Sequence, residues 1–200
     1  MEKDTRQMIL ETAKKEFALY GLEGARVDHI ADQAGVNKAM IYYHFDSKKG
    51  LYQAVIDGHF SRVAEFLEES IVKYPDPETF LLKIAEFYTS LFRDEDLFLP
   101  IMLREIAGRG ERIKSDMKNI LSRRGRLGKL KKLIDDGIKK GRFRKVDTTN
   151  AIISFIGMNF FYLIMAPMVN TIWEIKDEKK FRQKRAKAVV DLFLYGLKAR

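Results

Sequence analysis

Apolar positions recur at helical spacing along most of the chain. Ile9, Leu10, Ala13, Phe17 and Tyr20 make one stripe over Asp4–Tyr20, and Gly21 ends it. Val27, Ile30, Ala31 and Ala34 stand at i, i+3, i+4 and i+7, so a short helix over 27–34 has one apolar face. Gly35 breaks it, because glycine takes positive φ without a Cβ penalty. Asn37 is a good N-cap for a second short helix to Phe45, with Ile41 and Phe45 facing inward. Asp46 and Ser47 cap a long helix over about 48–73, carrying Leu51, Val55, Phe60, Val63, Phe66, Leu67 and Ile71. The break YPDP (74–77) sets Asp76 as N-cap and Pro77 at the first position of a helix running through Phe92. Further helices are predicted over Pro100–Ala107, Glu111–Lys140, Asp147 to about Ala166, and Asp177–Ala199. Gly125 and Gly128 weaken the second of these, Gly141 closes it, and Pro167 interrupts the third. No stretch alternates with period two, so the fold predicted is all-α.

Residues 27–45, two short helices around a glycine turn, have the pattern of a helix-turn-helix whose second helix enters the DNA major groove. The organisation predicted is a three-helix reader over 1–50 and a helical remainder over 51–200. Helix 48–73 links them, and about 24 residues of helix reach roughly 36 Å.

The net charge of +9 changes this picture less than it first promises. Residues 1–60 hold eight Lys/Arg against nine Asp/Glu, whereas 108–146 hold fifteen against four. Global basicity therefore does not support the reader. Its own cations are the local set Lys38, His44, Lys48 and Lys49, and phosphate contacts need only local donors. The absence of Cys excludes disulfides and thiolate metal sites, and His29, His44 and His59 are too far apart to ligate one ion. No glycine-rich phosphate loop or nucleophile elbow stands in the chain, so neither an enzyme nor a cofactor is expected. The charged N-terminus lacks the apolar core of a signal peptide, so a cytoplasmic location is expected.

The segment ARVDHIADQAGVNKAMIYYHFDSKKGLYQAVI resembles the N-terminal domain of the TetR (tetracycline-repressor) family of transcriptional regulators. Ile30-Ala31, Ala34-Gly35-Val36, Tyr42-x-His44-Phe45, Lys48 and Leu51 carry the likeness. IDDGIKKGRFRKVD resembles the second half of many members. Arg26, Ala39 and Met40 stand where the family often has Thr, Gly, and Thr or Ala. The resemblance implies a C-terminal helical ligand-binding and dimerisation domain, a homodimer on a palindromic double-stranded DNA operator, and release by a small-molecule effector.

On this reading the DNA-contact candidates are Arg26, Asn37, Lys38, Ala39, Tyr42, Tyr43, His44 and Lys48. Lys38 is the candidate for a guanine O6/N7 contact, and Tyr42, Tyr43 and His44 are positioners on phosphate and sugar. Lys48, in the first turn of its helix, is a phosphate candidate. Thr148–Trp173 has no charged residue. Its length suits a membrane span, but a helix apolar all round can equally be buried by its own domain and a partner. The resemblance favours the second reading, because the family's last two helices pair with their copies. Phe160, Phe161, Val189, Phe193 and Leu197 are then dimer-interface candidates. Phe66, Phe87, Tyr88, Leu91, Met102, Met117, Phe155 and Asn159 are candidates to line a pocket for a hydrophobic or aromatic effector, with Tyr88 and Asn159 as polar anchors. The basic run SRRGRLGKLKK (122–132) is read as a solvated helix face.

Overall fold

The computed structural model describes the chain except residues 1, 92–96, 111–113, 115–117, 119–125 and 199–200, and it describes the backbone alone at 2, 3, 91, 126, 127 and 129. Among the described residues there are nine α-helices and no strand: α1 Glu2–Gly24, α2 Val27–Ala34, α3 Lys38–Phe45, α4 Lys48–Lys73, α5 Pro77–Leu91, α6 Phe98–Ala107, α7 Arg126–Lys139, α8 Thr148–Ile172 and α9 Glu178–Leu197. They form two compact units, residues 1–64 with 95–121, and residues 65–94 with 122–200. The division predicted lies at residue 50; here about the first two thirds of α4, to Ala64, and all of α6 fall in the first unit.

The first unit closes on Ile9 and Phe17 of α1, Ile30 of α2, Ile41 and Phe45 of α3, Leu51 and Ile56 of α4, and Phe98 and Ile101 of α6. Helix α1 breaks at Gly21, where φ is 66°. Arg104 of α6 donates to the Leu19 carbonyl at 2.9 Å beside that break. The buried hydroxyl of Tyr52 donates to Glu105 Oε1 at 2.7 Å and ties α4 to α6. Helix α6 begins at Phe98, two residues before the start predicted. Pro100 is then the third helical residue, in the first turn, where backbone N–H groups have no intrahelical acceptor in any case.

The second unit packs α9 chiefly on α5, with α7 and α8 completing the core around Phe80, Ile84, Ile134, Phe155, Val190 and Phe193. Asp76, Asp147 and Asp177 cap α5, α8 and α9, each accepting the N–H three residues ahead at 2.7–2.9 Å. Arg144 straps the 140–145 turn to the end of α9, its N–H donating to the Leu197 carbonyl at 2.8 Å and its Nε to that of Gly196. Helix α8 runs through Pro167 to Ile172 instead of ending near Ala166. A proline removes one intrahelical hydrogen bond, and here the Tyr162 hydroxyl donates across it to Asn170 Oδ1 at 3.0 Å. The two sides of the proline are therefore tied by a buried side-chain bond. Of the long helix predicted over 111–140, the part before Arg126 lies mostly outside the described residues.

Candidate DNA-binding interface

Helix α3 presents two unlike faces. Ile41 and Phe45 are buried, and Arg6 lies over the Phe45 ring at 5.0 Å. Lys38, Ala39, Tyr42 and Tyr43 are exposed, the two tyrosines at 41 % and 69 %. The turn before it is built as its residues dictate. Gly35 takes φ 64°, ψ 31°, and its N–H reaches back to α2 carbonyls, so a side chain there would be strained. Asn37 Oδ1 accepts the Ala39 N–H at 3.0 Å and starts α3 as its N-cap. Met40 is half-buried.

Two expected phosphate or base contacts, Lys38 and Lys48, have polar partners within the protein, and a third, His44, is partly packed. The Lys38 ammonium is 2.8 Å from Asp28 Oδ1 on α2. Their hydrogen bond, with Coulomb attraction, lowers the Asp28 pKa and raises that of Lys38. Lys48 donates at 3.1 Å to the carbonyls of both Glu23 and Ala25, so its ammonium closes the turn after α1 and is not held out toward a phosphate. The Nε2 of His44 is buried with no hydrogen-bond partner, and its ring stands edge-on to Tyr43 and Phe45, which makes it a packing residue at that atom. Arg26 precedes α2 with no side-chain cap bond; its backbone N–H donates to Glu16 Oε1 at 3.0 Å and its side chain is exposed.

Two positioning residues escaped the pattern reading. Glu16 is buried in α1, where one oxygen takes the Arg26 N–H and the other lies 2.7 Å from His29 Nδ1. A carboxylate directly beside Phe17 on the buried side of a helix was the available signal. Gly50 is the other: a Cβ there would come within 2.1 Å of the Phe45 carbonyl oxygen, so α4 can start against the end of α3 only without one. A glycine in the first turn of a long helix was its signal.

Residues 9–55 match the model of the bacterial regulatory proteins of the tetR family, and residues 77–192 match that of the tetracyclin repressor-like C-terminal domain. The chain belongs to the TetR family. It is a DNA-binding transcriptional regulator. It is 28 % identical over 160 residues to the HTH-type transcriptional repressor NicS of Pseudomonas putida, covering 79 % of this chain and 75 % of that one. It is 27 % identical over 190 residues to the HTH-type transcriptional regulator RutR of Escherichia coli, covering 89 % and 84 %. In fold it is similar to the regulator FadR of Bacillus subtilis solved with stearoyl-CoA, at a TM-score of 0.75, 20 % identity and coverage of 95 % and 98 %.

The effector candidates of this TetR-family chain divide between its two units. Phe66 and Phe87 stack with centroids 3.8 Å apart, and burial pushes the pKa of the half-buried Tyr88 up. Phe155 is buried against Phe193, and Asn159, also buried, donates to the Phe155 carbonyl at 2.8 Å. All five belong to the second unit. Met102 is buried in the core of the first unit. Leu91 is the last residue of α5, and Met117 lies outside the described residues. Of the basic run, Lys131 and Lys132 are exposed, and its residues up to Gly125 lie outside the described residues.

The dimer candidates differ in burial. Val189, Phe193 and Leu197 are buried in their own subunit, on the side of α9 that faces its core. The opposite side carries Leu192 and Tyr195, 68 % and 82 % exposed. Helix α8 likewise exposes Ile153, Phe161, Met168 and Ile172, while Phe160 is half-buried. On length and composition α8 could also cross a membrane.

Proposed function

We propose that the protein is a cytoplasmic homodimeric repressor that sets two copies of α3 into successive major grooves of a palindromic operator and leaves it when a small hydrophobic or aromatic effector binds. The reading rests on α3: a short helix anchored by Ile41 and Phe45, with Lys38, Ala39, Tyr42 and Tyr43 on the open side. Lys38 is the base reader, and Tyr42, Tyr43 and Arg26 position the helix on the backbone. Asn37, His44 and Lys48 act through the shape of the reader.

The apolar ridges of α8 and α9 support pairing with a second copy, since contiguous exposed apolar patches of this kind mark interfaces. Half-sites on successive turns then require reader helices about 34–36 Å apart. The repressor assignment draws on NicS, a repressor by name. The apolar effector draws on the Phe66–Phe87 stack and on the fold shared with a regulator solved with stearoyl-CoA. An effector that binds a wider-spaced state more tightly would move the population away from the DNA-competent one. Selection from random DNA with the purified protein, followed by a mobility-shift titration, tests the reading. A twofold-symmetric site bound in the nanomolar range is expected, and the absence of any enriched sequence would sink it.

A further inference from the structure

A groove of about 660 Å³ runs between α5 and α9 of the second unit, and none of the candidate residues above whose side chains are described lines it. Small-molecule sites typically measure roughly 300–1,000 Å³. Its two walls differ in chemistry. The α5 wall offers acceptors. Thr89 Oγ1 already donates to the Glu86 carbonyl at 2.7 Å and Ser90 Oγ to that of Phe87 at 2.8 Å, so only hydroxyl lone pairs remain. Glu86 adds a carboxylate, one oxygen of which takes the Lys83 ammonium at 2.8 Å.

The α9 wall offers cations, Lys179 and Arg182, together with the Gln183 amide. Arg182 pairs with Glu178 at 3.5 Å, one turn back on the same helix. Three residues on, Arg185 is half-buried over the Tyr162 ring and donates to the Met158 carbonyl at 2.9 Å, while its Nε is buried without an acceptor. Burial presses its pKa downward. This part of α9 thus holds two half-buried guanidinium groups, and an anion placed beside them is favoured.

We propose that the α5–α9 groove binds a small amino-carboxylate, its carboxylate on Arg182 and Lys179 and its N–H donors on Thr89, Ser90 and Glu86. A ligand of this chemistry has complementary groups on both walls, whereas a simple acid or a simple amine satisfies one. The site goes beyond the apolar effector reading and does not depend on it.

Calorimetric titration of the full chain without DNA tests this. The probes are glutamate, glutamine, glutarate and 1,4-diaminobutane, each up to about 10 mM. Saturable binding of at least one amino acid, with glutarate and the diamine each roughly tenfold weaker, is expected. Lys179→Gln, an exposed position, should weaken the amino acid about tenfold, and Thr89→Val with Ser90→Ala should bring it down to glutarate. Binding of neither amino acid, equal binding of all four probes, or binding indifferent to Lys179→Gln overturns the proposal. Because no DNA is present, each of these failures leaves the operator reading standing.

Discussion

Helices α3 and α8 are both anchored by a buried stripe and open on the other side, yet their open sides are opposites. That of α3 is short, with one ammonium, two tyrosines and an alanine, and the acidic Asp28 stands beside it. That of α8 is long and uncharged, with Ile153, Phe161, Met168 and Ile172. A surface meant for a polyanion needs donors that water can also solvate, so it stays polar while free. On the proposed reading α8 meets its own copy, a contact that needs no charge and leaves a large exposed apolar ridge on the separated chain. The chain's excess of basic residues sits on neither helix, and it did not point to either function.

The sharpest way to break this contrast is to put a charge on the ridge. Phe161→Glu should leave the subunit folded, since the ring is 59 % exposed, but halve the mass seen by sedimentation and weaken operator binding at least about thirtyfold. An unchanged mass would remove the dimer assignment. Gly50→Ala comes next. With the Phe45 carbonyl 2.1 Å from the new Cβ, it should destabilise the reader by about 1–3 kcal/mol, read as a lower denaturant midpoint.

Lys38→Ala should cost the operator about 1–3 kcal/mol and relax sequence preference at one position per half-site. Lys48→Ala should lower stability and leave the salt slope of DNA binding unchanged, because its ammonium serves two carbonyls. A slope reduced by about one would return it to the phosphates. Asp28→Asn frees Lys38 and removes a carboxylate near the DNA. Non-specific binding should tighten more than operator binding, so the specificity ratio falls.

The smallest effect concerns pH. The Thr79 N–H bound to Asp76 holds its carboxyl below the ordinary range. A depressed folded pKa means that the cap's contribution is complete above about pH 4 and is lost as pH falls through the folded value. Asp76→Asn should flatten that acid limb by less than about 0.5 kcal/mol, measured by urea unfolding between pH 5 and 3.

Much of this was legible beforehand. Local rules suffice for caps and turns, so Gly35, Asn37, Asp76 and Asp147 are where the sequence puts them. The inward pair Ile41 and Phe45 required at least one of Tyr42 and Tyr43 to face outward, and both are exposed. What stayed hidden required knowing which element lies opposite. Lys48 meets carbonyls more than twenty residues away, Lys38 meets Asp28 across a turn, and Met102 is buried in the first unit's core.

Helix α9 shows the boundary most clearly. Its sequence has apolar residues on two sides, Val189, Phe193 and Leu197 on one and Leu192 and Tyr195 on the other. Periodicity alone determined that it is a helix, as it determined the all-α fold and the helix-turn-helix pattern. Which side faces the subunit's own core was decided only by packing against α5, because burial depends on the neighbour that removes the water and not on the residue removed from it.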